Sequence, residues 1–238
     1  MKAQRIVSVI RRSAATQGLD GVPWPREREC VAQMQRAWDE WFGSGSYTEF
    51  RRFLYEISGA TTAVTRVTSL DEAKAEWIAF IDDDDWLFAS VHDLIQDVPD
   101  DVMLVAWPVE IAVLTSELRR EVEPVTVRRG PHSCGYAVRR RFLDKLTPEQ
   151  LDLVRDDHRH VHRYVHFSGF RYLFRELVGA CYILSPASIT VAISEIPFEK
   201  RFALPDAYQR CAENWPHPLN AIARRLVELS ARVHGSQG

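Results

Sequence analysis

Four carboxylates in succession, Asp82-Asp83-Asp84-Asp85, follow directly on the apolar run Ile78-Ala79-Phe80-Ile81. Like charges at that density repel one another unless a cation offsets them, and carboxylate oxygens are the ligands that hard divalent ions such as Mg2+ or Mn2+ take. The chemistry spelled here is metal-assisted handling of a phosphate. A solvated acidic turn is the bland reading of the same four residues. Arg11, Arg12 and Ser13, at the mouth of a first predicted strand, are of a type that holds phosphate oxygens, since a guanidinium can donate two parallel hydrogen bonds. Arg66 is a second candidate of that kind, although any one arginine is more often a surface residue.

These groups need elements to position them. The run Ile78 to Ile81 is continuously apolar, as in a strand covered on both faces of a parallel sheet, and Leu70 to Ala75 before it reads as helix-like. In open α/β sheets ligands bind beyond the carboxyl ends of the strands, where Asp82 to Asp85 would then lie.

On these residues, Ala75-Glu76-Trp77-Ile78-Ala79-Phe80-Ile81-Asp82-Asp83-Asp84-Asp85 resembles the Asp-x-Asp segment of glycosyltransferase family 2 and its GT-A relatives. A second stretch resembles that family's later block: Gly179-Ala180-Cys181-Tyr182-Ile183-Leu184-Ser185, then Pro197 to Asp206. The resemblance implies an α/β, GT-A-like Rossmann-type nucleotide-binding sheet with an acceptor-binding half in the same domain. It further implies sugar transfer from a nucleotide diphosphate sugar (UDP- or GDP-sugar) with Mn2+ or Mg2+. Asp82, Asp84 and Asp85 would hold the metal, and Asp82 and Asp83 would serve the nucleotide.

Asp206 falls on the second acid of the family's acidic pair, with Pro205 in place of the first. In inverting members the acid at this place is the general base that deprotonates the acceptor hydroxyl. A helix-opening acid serving the dipole is the alternative for Asp206. His217, fixed between Pro216 and Pro218, matches the late histidine that many GT-A enzymes add to the metal shell; an exposed loop histidine is its alternative. The chain departs from the family in two places. Its first strand, Arg5 to Ile10, ends in Arg11-Arg12-Ser13-Ala14 rather than a Pro-Thr-Tyr-Asn-like loop, and it has no Asp-Asp-Gly-Ser-like segment.

Along the rest of the chain, Arg28 to Phe42 reads as an amphipathic helix stopped by Gly43-Ser44-Gly45-Ser46. Phe50 to Ile57, Ala63 to Val67 and Asp101 to Ala106 read as strands, and Ser90 to Gln96 as a helix. Ile111 to Leu118 extends the sheet or begins a second one. The expected organisation is one domain over 1–238, with a nucleotide-sugar-binding half to about 107 and an acceptor-binding half over 108–238 that ends in a helix.

That second half concentrates arginine: Arg119-Arg120, Arg128-Arg129 and Arg139-Arg140-Arg141, then Arg155, Arg159, Arg163 and Arg171. Interleaved Tyr164, Phe167, Phe170 and Tyr172 suit either stacking on an acceptor or the buried stripe of a helix. His158, His160 and His162 alternate, which suits either one face of a strand or a spread around a helix; a zinc site would need the spacing of His158 with His162, or of His162 with His166.

The 238 residues suffice for one large core, and the 46% apolar and 26% charged fractions are ordinary for a globular protein. No segment reaches the roughly 18 to 20 apolar residues of a membrane span, and the amino terminus lacks a signal-peptide pattern, so a cytoplasmic location is expected. Cys30, Cys134, Cys181 and Cys211 have neither zinc nor disulfide-framework spacing. A net charge of −3 argues against generic nucleic-acid binding, yet 26 of the 30 basic residues are arginine. The acceptor is accordingly left open between saccharide, small molecule and modified DNA. A phage-type base glycosyltransferase, a non-catalytic GT-A-like module and a metal-dependent phosphohydrolase are the rival readings.

Overall fold

In a computed structural model of the chain, the residues described are 7–12, 35–36, 38–40, 42–50, 52–53, 65–67, 69–82, 85–88, 90–113, 119–123, 132, 134–156, 158–184, 205–214 and 219–234. The strands in chain order are β1 (Val7–Arg12), β2 (Thr65–Val67), β3 (Trp77–Asp82), β4 (Trp86–Leu87), β5 (Val102–Ala106), β6 (Val109–Val113), β7 (Arg119–Glu123), β8 (Tyr136–Arg139), β9 (Arg171–Phe174) and β10 (Ala180–Leu184). The helices are α1 (Val91–Ile95), α2 (Arg140–Leu143), α3 (Pro148–Asp156), α4 (His160–Phe167), α5 (Pro205–Asn214) and α6 (Leu219–His234). This is a mixed α/β architecture.

A six-stranded sheet has the order β2-β1-β3-β8-β5-β9. β1 is parallel to both β2 and β3, β5 is parallel to β9, and β8 runs against β3 and β5. A four-stranded sheet has the order β4-β10-β6-β7.

Both faces of the six-stranded sheet are covered, which is why β3 reads as an unbroken apolar run instead of an alternating one. Trp77, Ala79 and Ile81 turn to one face, where they meet Val91, Leu94 and Ile95 of α1 and Trp107. Ile78 and Phe80 turn to the other, against Phe142, Leu143, Val154, Val161 and Val165 of α2, α3 and α4. Close packing on the first face leaves no room at Gly179, where a Cβ would lie 2.6 Å from both Leu94 Cδ1 and Trp107 Cδ1.

By its internal contacts the chain divides into two compact units, Met1–Ser13 with Thr62–Glu110 and Val122–Tyr182, and Ala14–Thr61 with Ile111–Glu121 and Ile183–Gly238. In the second unit, Trp38 stacks on Phe50 at 5.1 Å, and Glu49 accepts ion pairs from Arg225 and Arg232. There α5 and α6 pack against each other, burying Tyr208, Ile222, Leu226 and Leu229.

Three local expectations change. The first strand runs two residues further than Ile10, so Arg11 and Arg12 belong to β1 and not to a loop after it. Leu70 to Ala75 is a turn, because Arg140 takes the Leu70 and Ala73 carbonyls that a continuing helix would have used. Residues 46–50 and 52–53 are helical, where a strand was expected from Phe50 onward. Asp39 accepts from the Tyr47 N–H at 3.0 Å and satisfies one of the amides that a helix start leaves open. The preceding helix does stop where expected, after Phe42, with Gly43 at a φ of 98° that side chains rarely adopt.

Candidate functional site

The register of the parallel strands builds the site. Arg11 pairs with Ile81 and Arg12 with Asp82, so the last residues of β1 and β3 form one row at the carboxyl end of the sheet. From β1 the chain passes to β2 on one side and then to β3 on the other, which makes the β1/β3 boundary a topological switch point, the place where such sheets leave a ligand crevice. Arg66 pairs with Val9, three residues before Arg12. At about 3.3 Å per residue its backbone lies ~10 Å back from the row.

Beyond the row, the Asp85 N–H donates to the Asp82 carbonyl at 3.2 Å, which brings the two ends of the tetrad together. Asp82 is partly exposed, whereas Asp85 is fully buried. The chain then enters the four-stranded sheet, with Trp86 opposite Cys181 and Leu87 opposite Ala180. Asp83, Asp84, Ser13 and His217 lie outside the described residues. Asp206 is the second residue of α5, as expected for an acid that opens a helix, and belongs to the other unit.

A third strand reaches this end of the sheet, and sequence reasoning did not foresee it. β8 pairs Trp77 with Arg139, Ile78 with Val138 and Ala79 with Ala137. Cys134 lies two residues before β8, at that strand's amino end. Because β8 is antiparallel, its amino end arrives where β1 and β3 finish. The electrostatics agree: burial pushes the Cys134 thiol well above its ordinary range, and Asp85, Cys181 and Asp82 push it the same way.

Just before it, Gly135 N–H donates to the His132 carbonyl at 2.8 Å and closes a turn. The His132 ring lies 3.6 Å by Nδ1 from Cys134 Sγ and 4.1 Å by centroid from the Tyr182 ring. Burial, with the Arg159 charge, lowers the His132 pKa to about 4. The only hint in the sequence is a histidine and a cysteine two residues apart ahead of a short apolar run, too common a spelling to mark a site.

Among the described residues, several arginines of this half serve as internal fastening. Arg139 is buried, ion-paired to Glu76, bonded to the Val102, Val98 and Pro99 carbonyls, and lies 4.5 Å over the Trp77 ring. Arg140 holds Asp144, Leu70 and Ala73, and Arg141 holds the Asp100 carbonyl. Arg155 pairs with Asp71 and Asp152, and Arg171 with Asp101. The aromatics divide likewise: Tyr164, Phe170 and Tyr172 pack against the core, while Phe167 is 82% exposed.

His160 and His162 lie on α4, so the alternation is not that of a strand face, and the buried His158 ring accepts or donates at Tyr136 Oη, 2.9 Å away. Among the described residues no three metal-ligating side chains converge.

No protein-family model matches the chain, and no curated protein does. Among solved structures it is similar to the crystal structure of S. aureus TarS 1-349 in complex with UDP. That match has 13% sequence identity, covers 87% of this chain and 70% of that one, and has a TM-score of 0.36, too low to establish a shared fold. No helix of the described residues is long and apolar enough to cross a membrane.

Proposed function

We propose that the chain is a metal-dependent glycosyltransferase that moves a sugar from a UDP- or GDP-sugar to an acceptor hydroxyl, with inversion at the anomeric carbon. The observation that carries this reading is the row of Arg12 and Asp82 at the β1/β3 switch point, with the tetrad following directly from it. The resemblance of the tetrad segment and of the later block to glycosyltransferase family 2 supports the same reading.

Two of the proposed ligands, Asp82 and Asp85, are among the described residues and offer the oxygen donors that a hard divalent ion takes. Both acids act electrostatically on the Cys134 thiol, and carboxylate oxygens are donors that favour Mg2+ or Mn2+. Asp82, Asp84, Asp85 and His217 would hold the ion; Arg11, Arg12, Ser13, Arg66, Asp82 and Asp83 would hold the nucleotide diphosphate. Once bound, the ion supplies positive charge that offsets the negative charge growing on the departing diphosphate. Arg11 and Arg12 offer that diphosphate their fixed fork of donors. Asp206 accepts the proton of the acceptor hydroxyl as its oxygen attacks the anomeric carbon, and the bond to the diphosphate breaks with its electron pair leaving on the phosphate.

Calorimetry with UDP and GDP, each with and without Mn2+, tests the reading. Metal alone should bind weakly and metal with nucleotide strongly, because the diphosphate completes the oxygen shell. Asp84→Asn should remove that synergy while leaving the melting temperature close to that of the parent. Absence of nucleotide binding under every condition would overturn the proposal.

A further inference from the structure

We propose that the outer edge of β9 is an interface, on which a second copy of this chain adds its own β9 antiparallel, about a two-fold axis at Tyr172. Among the described residues β9 ends the six-stranded sheet and pairs with β5 alone. The Arg175 N–H donates to the Ala106 carbonyl at 2.8 Å, which turns the backbone of Arg175 and Leu173 toward β5. Backbone groups alternate in direction along a strand, so the N–H and C=O of Tyr172 and Phe174 point the other way, off the edge of the sheet.

Exposed sheet edges are normally guarded by lysine, by proline or by charges standing along the rim. β9 has no such guard. It holds neither lysine nor proline, and the arginines at its two ends are drawn back onto their own chain, Arg171 to Asp101 and Arg175 to the Leu94 and Gln96 carbonyls. Tyr172, Leu173 and Phe174 between them are half-buried, with the Tyr172 and Phe174 rings edge to face at 5.1 Å. Of the large apolar side chains among the described residues three are exposed, and two of these bracket β9. They are Phe167, 82% exposed at the end of α4, and Leu177, 52% exposed just beyond the strand.

A second copy fits this edge because the arrangement is its own complement. Antiparallel pairing lays the amino end of one strand against the carboxyl end of the other, so each Phe167 comes to the copy's Leu177 and both leave water. The backbone restricts the register, since outward residues must face outward residues, and the axis then falls at Tyr172, Leu173 or Phe174. An axis at Leu173 would set Arg171 opposite the copy's Arg175, like charges on facing positions. An axis at Phe174 would bring Leu177 to Arg171 instead of to Phe167. Tyr172 is five residues from both Phe167 and Leu177, so an axis there matches the two apolar ends and sets Phe174 toward the copy's Phe170.

One short strand pair with its flanking apolar groups is a small interface, suited to reversible association in the micromolar range. Sedimentation velocity of the whole chain over a concentration series should show a monomer–dimer equilibrium. Phe167→Asp combined with Leu177→Asp sets like charges against each other at both ends of the pair and should raise the dissociation constant about tenfold or more. Phe167→Lys combined with Leu177→Asp should dimerise more tightly than the double aspartate variant, since each lysine meets the copy's aspartate. Both positions are exposed, so circular dichroism should report an unchanged fold.

Amide hydrogen exchange reads the edge itself and needs no variant. In the dimer the Tyr172 and Phe174 amides should become as slow as those of Leu173 and Arg175, and on dilution they alone should return to fast exchange. A chain that stays monomeric at about 100 μM overturns the inference. So does a dimer that is indifferent to the charge pairs, or one in which the Tyr172 and Phe174 amides remain fast.

Discussion

Asp206 carries the heaviest chemical demand of any single residue in the proposed reaction. A neutral hydroxyl is a poor nucleophile, and a carboxylate must take its proton as the new bond forms. Asn keeps the size and hydrogen bonding of that side chain but cannot accept the proton. Asp206→Asn is therefore expected to leave nucleotide-sugar binding nearly unchanged and to lower single-turnover rates by roughly 10²- to 10⁴-fold. A variant as fast as the parent would remove Asp206 from the mechanism.

His132 makes a separable prediction about stability. Its pKa falls from about 6.5 unfolded to about 4 folded, because burial disfavours the charged ring. Between those values the unfolded chain binds a proton that the folded chain does not, so stability falls as pH drops from about 6.5 to about 4 and is fully present above that window. The contribution is at most about 3 kcal/mol. Denaturant unfolding at pH 7 and pH 4.5 should show the loss, and His132→Gln should show a smaller one; equal losses would mean other groups dominate.

At the scale of elements, what the sequence discloses is set by how local the cause is. The buried strand β3 is legible because covering a sheet on both faces writes an apolar run into consecutive residues, and α1 and β5 are legible by the same local logic. The helix over residues 46–50 is less legible, because one of its first amides is met by Asp39, eight residues back. β8 and its contribution to the site were not legible. Its place beside β3 depends on pairing between residues some 60 positions apart, of which Trp77 with Arg139 is one.

Arginine 139 shows the same limit. Nothing near it in sequence announces Glu76 or the carbonyls of Val98, Pro99 and Val102, yet those partners turn a supposed ligand-binding cluster into a clamp between β8, β3 and the start of β5. Removing the buried guanidinium leaves several carbonyls and a partly exposed carboxylate without their donor, at a cost of about 1–3 kcal/mol for a buried group left unsatisfied. Arg139→Gln should lower the unfolding midpoint in denaturant by a corresponding amount. A change below about 1 kcal/mol would show that Glu76, which is 43% exposed, and the carbonyls are resolvated at little cost.

For the whole molecule, the excess of arginine over lysine looks at first like preparation for a polyanion. Among the described residues, several of these arginines are put to another use. A guanidinium has five donors, so one side chain can close a carboxylate and several backbone carbonyls at once, as Arg139 and Arg140 do. Arg155, Arg171, Arg225 and Arg232 each hold a carboxylate, and Arg175 holds the Leu94 and Gln96 carbonyls. Cations so engaged, in a chain of net charge −3, have little to offer a phosphate backbone. Duplex DNA should accordingly bind no more tightly than about 10⁻⁴ to 10⁻⁶ M, the range of non-specific association, and with a shallow dependence on salt. Fluorescence anisotropy across a salt series reads both quantities. The triple replacement of Arg139, Arg140 and Arg141 with Gln should appear as a lowered melting temperature and not as a changed salt slope. Tight binding whose steep slope flattens in that variant while the fold survives would instead restore the DNA acceptor reading, because it would require these three arginines to exchange their internal partners for phosphates.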